Sequence, residues 1–306
     1  VYIAGLLIGM GPILDASDAM SVFTQAIPYN FYALLSVLMV GLIGMGIIPD
    51  FGPMKGAERR AMDEGKVLRD GAVPLIGKEL TESPLFPGIK THLFFNFILP
   101  VLIVISVAIG TYITLGSAKT MEAFLAAIVV LGIIIRIQGI PLNDIMETVM
   151  TGIKGIMPAV MILAFAYTIN QLSKDMGTAK YMIDISQGYL TPALLPVLSY
   201  LLAAVIAFST GTSWGTFAIV IPIAVPMALT YSGGEITGLV CATLAAVAGG
   251  GVFGDHCSPL SDTSILASTG AASDHIDHIK TQIPYALVVA VISGIMYIGL
   301  GWILAG

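Results

Sequence analysis

Charge is what this chain has least of. Only 10% of its 306 residues are Asp, Glu, Lys or Arg, and 57% are hydrophobic, whereas a soluble domain carries about 25% charged residues. With a mean hydropathy of +0.94, the scarcity excludes an ordinary soluble domain and predicts an integral membrane protein. The net charge of -6 carries little topological weight, because acidic residues count weakly, and nothing in the pattern suggests nucleic-acid binding. Cysteine is nearly absent too. Cys241 and Cys257 lie in apolar surroundings without paired spacing, which argues against a disulfide framework or a zinc site. Val1 to Leu14 lacks a basic region and is too short to span, so it reads as the stub of a helix cut at its beginning rather than as a signal peptide.

Long uncharged runs take the place of charge. They cover Phe31 to Pro49, Thr91 to Ala118, Gly155 to Ser173, Ile185 to Gly234, Ile236 to Gly254 and Thr281 to Gly306. A helix needs about 20 residues to cross a hydrocarbon core. The Ile185 to Gly234 run is about twice that length and contains Gly211, Gly215, Pro222 and Pro226, so it reads as two passes or as one pass plus a re-entrant loop. Adding the shorter run between Glu122 and Arg136, whose charges can snorkel, gives an all-α polytopic membrane protein of about eight transmembrane helices, some of them discontinuous or re-entrant.

Basic loops stay in the cytoplasm, and seven of the thirteen basic residues lie between Lys55 and Lys90. Placing that segment inside and alternating across the spans also puts Arg136, Lys154 and Lys280 inside. Lys119, Lys174 and Lys180 are then outside, a division of ten against three. The expected location is the inner, plasma membrane of the cell. The polar segment suggests three parts: residues 1–49 as the end of a truncated transmembrane half, 50–92 as a cytoplasmic linker with a helix at Glu58 to Leu68, and 93–306 as a C-terminal transport repeat.

Two polar insertions interrupt the last hundred residues. "FSTGTSWGT", Phe208 to Thr216, packs two glycines and five hydroxyl side chains into nine residues. Gly weakens a helix interior by roughly 1 kcal/mol relative to Ala, and Ser and Thr offer the backbone competing hydrogen bonds, so a break at Gly211 and Gly215 is expected. The alternative is a continuous helix that uses the two glycines, four apart, as a packing face. A break at membrane depth is tolerated only where protein or a hydrated cavity surrounds it. Its flanking helix ends offer amides to an anion and carbonyls to a cation.

The second insertion is "GGGVFGDHCSPLSDTS", residues 249–264. Gly249, Gly250, Gly251 and Gly254 are expected to loosen the end of the helix that begins near Ile236, and Pro259 blocks helical bonding beyond it. The freed carbonyls lie beside the carboxylates of Asp255 and Asp262 and the hydroxyls of Ser258, Ser261 and Thr263, oxygen ligands of the kind small hard cations prefer. A carboxylate within a membrane can exchange a proton for a metal cation, since either one neutralises it. Alternatively, Asp255 reaches cytoplasmic water at a helix end and Asp262 is the N-cap of the next helix.

Other polar residues are less specific. His256 could relay protons or be an interfacial polar residue, and Asn170 could line a pathway or cap a helix end. His275 and His278, three apart in "SDHIDHIK", have the spacing for a metal on a helix, but no other ligand set supports one. Asp255 and Asp262 share one short segment, and the Gly-x-Gly-Asp pattern fails at Val252. An intramembrane aspartyl protease is therefore disfavoured, and no enzyme activity or cofactor is expected.

"GTSWGTFAIVIPIA", Gly211 to Ala224, followed by "GGGVFGDHCSPLSDTSILAS", Gly249 to Ser268, resembles the C-terminal repeat of the NhaC-type sodium/proton antiporter family, within the ion-transporter superfamily. Phe31 to Pro74 resembles the stretch joining the two halves of that family. The resemblance implies one half of an inverted-repeat carrier. The preceding half has its own related motifs, and no second copy of either motif occurs in this chain.

The resemblance further implies that Ser209 to Thr216 and Asp255 to Thr263 face each other near mid-membrane. Asp255, Ser258, Ser261, Asp262 and Thr263 would take cation-site roles, with Asp255 and Asp262 the leading carboxylates for Na+. Thr210, Thr212, Ser213 and Trp214 would contact substrate. The expected function is Na+/H+ exchange, with Na+ as the transported or coupling ion. The family also contains exchangers of small carboxylates or amino acids, which composition does not separate from cation exchangers. Expected partners are membrane lipid, a small ion or solute and the N-terminal half, with a homo-oligomer left open.

Overall fold

The structure is a computed structural model that describes residues 2–76, 92–115, 119–177, 181 and 191–305. Residues 77–91 of the linker, Lys180 and the beginning of the run that opens at Ile185 lie outside the described residues, as does the side chain of Asn170. Among the described residues the regular elements are helices, with one isolated bridge between Pro74 and Asp274. The protein is an all-α, polytopic membrane protein.

Packing divides the chain into two units, Ile76–Met157 and a second made of Val1–Leu75 with Pro158–Gly306. The larger unit joins both ends of the chain. It opens with α1 (Tyr2–Leu7), α2 (Ala16–Ala26), α3 (Phe31–Gly44) and α4 (Gly52–Glu64). Asp15 caps α2 by accepting from the amides of Ser17 and Asp18. The linker helix expected at Glu58 to Leu68 is shifted toward the N-terminus. Pro53, in the first turn of α4, costs no helical hydrogen bond there, and Gly65 ends α4 in the left-handed region at φ +66°.

In the smaller unit, α5 (Phe94–Leu115) begins with a π-helical turn and packs on α6 (Thr120–Ile137). Reciprocal amide hydrogen bonds between Asn96 and Gln138, at 3.0 and 2.8 Å, join the pair. The remaining helices are α7 (Leu142–Asp175), α8 (Leu195–Thr210), α9 (Ser213–Tyr231), α10 (Gly238–Cys257), α11 (Asp262–Gly270) and α12 (His275–Ala305).

Among the described residues five helices are long and apolar enough to cross a membrane: α5, α6, α9, α10 and α12 up to Leu304. A sixth results if α2 with its extension to Tyr29 and α3, which meet at a 53° bend, form one span. Of the two passes read into Ile185 to Gly234, α9 has full length and α8 is shorter.

The larger unit is organised around α10. Its spanning window is 83% buried, against 0% for α5, and it packs on α2, α3, α8, α9 and α12. A helix apolar on every side belongs in such a central position. Here the structure corrects one reading. Gly249, Gly250, Gly251 and Gly254 do not loosen the helix, which runs unbroken to Cys257. They admit neighbours instead: a side chain at Gly250 would run into the Tyr200 carbonyl, one at Gly254 into the Ala204 carbonyl, and one at Gly251 would lie 2.5 Å from the Phe217 ring. Small residues at a membrane helix interface allow close backbone approach.

Candidate functional site: two facing helix breaks

The first break is only two residues long. Gly211 ends α8 at φ +69°, and its amide donates to the Ala207 carbonyl. Thr212 is extended and caps α9 by accepting from the Gly215 amide at 3.4 Å. Gly215 itself lies inside the first turn of α9. The second break follows Cys257, where Ser258 turns extended, Pro259 and Leu260 cross over, and Ser261 caps α11 by accepting from the Ser264 amide at 3.3 Å. Asp262 therefore is not the cap. It is half-buried in the first turn, where the amide ends of the helix favour a carboxylate.

The two breaks pack against each other. Gly211 meets Leu260 so closely that a side chain there would lie 2.5 Å from the Leu260 carbonyl oxygen. The Ser258 hydroxyl donates to the Phe208 carbonyl at 2.7 Å, partnering one of the carbonyls that the end of α8 leaves without a helical amide. The Leu260 amide donates back to Ser258 Oγ at 3.2 Å. The Ser258–Phe208 and Gly211–Leu260 contacts join residues about 50 positions apart, and no local pattern in the sequence announces them.

At the centre is Asp255, on the last turn of α10 and only 5% exposed. Thr263 Oγ1 donates to its Oδ2 at 2.8 Å, and Ser261 Oγ lies 2.8 Å from Thr263 Oγ1. A hydroxyl has one hydrogen. Since that of Thr263 goes to Asp255, Ser261 is the donor available to Thr263, and its hydroxyl also acts on the Asp255 carboxylate. The other oxygen, Oδ1, is buried without a hydrogen-bond partner. Buried polar atoms are nearly always paired, so an unsatisfied carboxylate oxygen at the junction of two helix breaks stands out. Asp262 lies close enough for its charge to act on Asp255.

The remaining predicted residues divide. The hydroxyl of Thr210 is buried and turned back to the Ile206 carbonyl at 2.8 Å, while Ser213 is buried beside the break. Trp214 is 57% exposed and edge-on to Tyr2 of α1, with ring centroids 5.0 Å apart. His256 Nδ1 and the Tyr32 hydroxyl of α3 lie 3.0 Å apart. His256 also lines a cavity of about 530 Å³ together with Asp50, Met54, His278 and Tyr285. Among the described residues no group of three or more His, Cys, Asp or Glu side chains is placed to hold a metal ion, and His275 instead bonds Ser268 and Pro259.

An all-α bundle in which interrupted helices meet at a buried carboxylate has the construction of a secondary carrier, where irregular backbone at membrane depth lines the path of an ion or solute. Comparison with known proteins agrees. The chain belongs to the Na+/H+ antiporter family, whose family model matches residues 1–302.

An uncharacterised protein of Haemophilus influenzae is 35% identical over 300 residues, covering 90% of this chain and 54% of that protein. The arginine/ornithine antiporter ArcD of Halobacterium salinarum is 34% identical over 143 residues, 47% of this chain and 28% of its own length. The malate-2H(+)/Na(+)-lactate antiporter of Bacillus subtilis is 27% identical over 218 residues, 68% of this chain and 45% of its own. The chain thus spans about half or less of the length of these relatives. No solved structure matches.

Proposed function

We propose that the chain carries the cation-exchanging part of a secondary active antiporter that trades Na+ for H+. The observation that carries this reading is Asp255, a buried carboxylate with Oδ2 held by the Thr263 hydroxyl and Oδ1 left for a ligand. Ionising a carboxylate away from water is costly unless a cation neutralises it. Asp255 therefore takes a proton when the site is empty and gives it up when Na+ arrives at Oδ1. Hydroxyl oxygens of Ser261 and Thr263 complete an all-oxygen environment suited to a hard cation. Asp262 supplies a second negative charge that the bound ion offsets.

In this reading the linker at residues 50–92 is cytoplasmic, residues 93–306 form the transport repeat, and the protein resides in the inner, plasma membrane. The test uses vesicles containing the full-length protein. Addition of Na+ should dissipate a preformed proton gradient, and Asp255→Asn, which keeps the shape and removes the titrating group, should abolish the response while membrane insertion remains intact. An Asn variant exchanging at the normal rate would refute the assignment.

A second reading, exchange of a small carboxylate or a basic amino acid coupled to Na+ or H+, draws support from the two antiporters named above and from the amide ends of α9 and α11, which suit an anion. Uptake of labelled malate, lactate or arginine by the same vesicles distinguishes it.

A further inference from the structure

The turn that carries the cation site is braced from a side the sequence motif does not include. His275, the first residue of α12, is 7% exposed. Its Nε2 lies 2.9 Å from the Pro259 carbonyl, and its Nδ1 lies 3.0 Å from Ser268 Oγ on α11. A carbonyl only accepts, so Nε2 carries hydrogen, while Ser268 Oγ, which also donates to the Ile265 carbonyl at 2.9 Å, meets Nδ1. Both ring nitrogens are thus engaged, one by the α10 to α11 turn and the other by the last turn of α11.

We propose that His275 is a positioning residue for the cation site: by holding the Pro259 carbonyl it keeps the turn between Asp255 and Thr263 in the bent form that lets Thr263 reach the carboxylate. This proposal rests on the function proposed above for Asp255.

Three points fix that turn. Ser258 is bonded to Phe208, Leu260 lies on Gly211, and Pro259 is bonded to His275. The first two tie it to the end of α8, and the third ties it to α12. The Pro259 carbonyl lies between helices, outside either helical ladder. Without His275 the Pro259 carbonyl would lose this part-buried contact, and with it the tie between the turn and the start of α12.

The base of the brace is itself anchored. Asp274 accepts from the Val73 amide at 2.8 Å and lies 3.7 Å from the Arg69 guanidinium, and Arg69 pairs with Asp277 at 2.6 Å. His275 therefore stands between a fixed helix start and the crossover it supports.

The test compares His275→Leu with His275→Gln in the full-length protein. Gln keeps an N–H donor at about the reach of Nε2, whereas Leu fills similar space without one. Amide hydrogen exchange at Leu260 and Ser261, read by mass spectrometry, should quicken about tenfold in the Leu variant and stay within about threefold of the parent in the Gln variant, as expected for the loss or retention of one hydrogen bond. The Na+ concentration giving half-maximal exchange should rise by about tenfold in the Leu variant at a nearly unchanged maximal rate, and be rescued by Gln.

Equal behaviour of the Leu and Gln variants would overturn the proposal, because space filling alone would then account for His275. Unchanged amide exchange in the Leu variant would also overturn it, whatever transport shows. The amide readout does not depend on the ion carried, so it separates this claim from the assignment of Asp255. If the Leu variant fails to insert, Ser268→Ala removes the Nδ1 partner together with that hydroxyl's bond to the Ile265 carbonyl, and leaves His275 in place. Amide exchange at Leu260 unchanged by that substitution would equally count against the brace.

Discussion

Gly211→Ala would force apart the two breaks on which the site depends. The cost has two parts. Gly211 sits at φ +69° and ψ +22°, where an L side chain costs roughly 1 to 2 kcal/mol. Its new Cβ would also lie 2.5 Å from the Leu260 carbonyl oxygen, 2.6 Å from the carbonyl carbon and 2.9 Å from the Leu260 Cβ. Two of those atoms are backbone, so no flexible side-chain tip can swing away. Overpacking of this kind costs about 1 to 3 kcal/mol, for a total of about 2 to 5 kcal/mol.

Two other glycines separate the terms. Gly233 has nearly the same φ, +67°, with nothing within 4 Å of its added Cβ, so Gly233→Ala incurs only the conformational part. Gly294, inside α12, also has open space and a helical backbone, so Gly294→Ala should do no harm. The assay is thermal unfolding of the purified proteins in detergent, followed by Na+-driven proton movement in vesicles. Gly211→Ala should lose clearly more stability than Gly233→Ala and should alone impair exchange. If the two alanine variants lose the same stability, the packing of one break on the other is refuted.

Other expectations can be checked in the same preparations. Thr263→Val keeps the shape but deletes the donor to Asp255 Oδ2. A hydrogen bond to a charged group is worth about 1.5 to 3 kcal/mol, so half-maximal exchange should need at least about tenfold more Na+, and an unchanged Na+ requirement would remove Thr263 from the site. Asp274 offers a test by acidity. Burial by itself would raise its carboxyl, but the Val73 and Asp277 amides and Arg69 outweigh burial and hold it below the usual carboxylate range. A carboxyl lowered by folding contributes stability above its unfolded pKa of about 3.9 and loses that contribution as pH falls through the lower folded value. Protection of the Val73 amide should therefore persist through mildly acidic conditions and fail only below about pH 4, whereas Asp274→Asn should weaken it at neutral pH. Release of Val73 near pH 6 in the parent would contradict the anchoring.

The membrane class was legible in composition, because hydropathy sums over a segment whatever its neighbours are. The short break at Gly211 was legible for a similar reason: two glycines among five hydroxyl residues weaken a helix on local grounds alone. The glycines of α10 misled. Gly249 to Gly254 carry the same intrinsic penalty, yet the helix passes through them, since the Tyr200 and Ala204 carbonyls of α8 come close enough for packing to outweigh propensity. His275 stood out in the sequence only by its three-residue spacing from His278, because its partners, Ser268 and Pro259, are recognisable only once α11 has folded back toward α12.

From the order of residues alone came the apolar helices, the place where α8 must end, and the store of carboxylate and hydroxyl oxygens between Asp255 and Thr263. These follow from the solvation and backbone preferences of short segments. Which oxygen is left without a partner, which break lies against which, and which histidine supports the turn were decided only in three dimensions. A hydrogen bond reaches about 3 Å, and whether a distant residue comes within that reach depends on how the helices pack, not on any stretch of the chain taken singly.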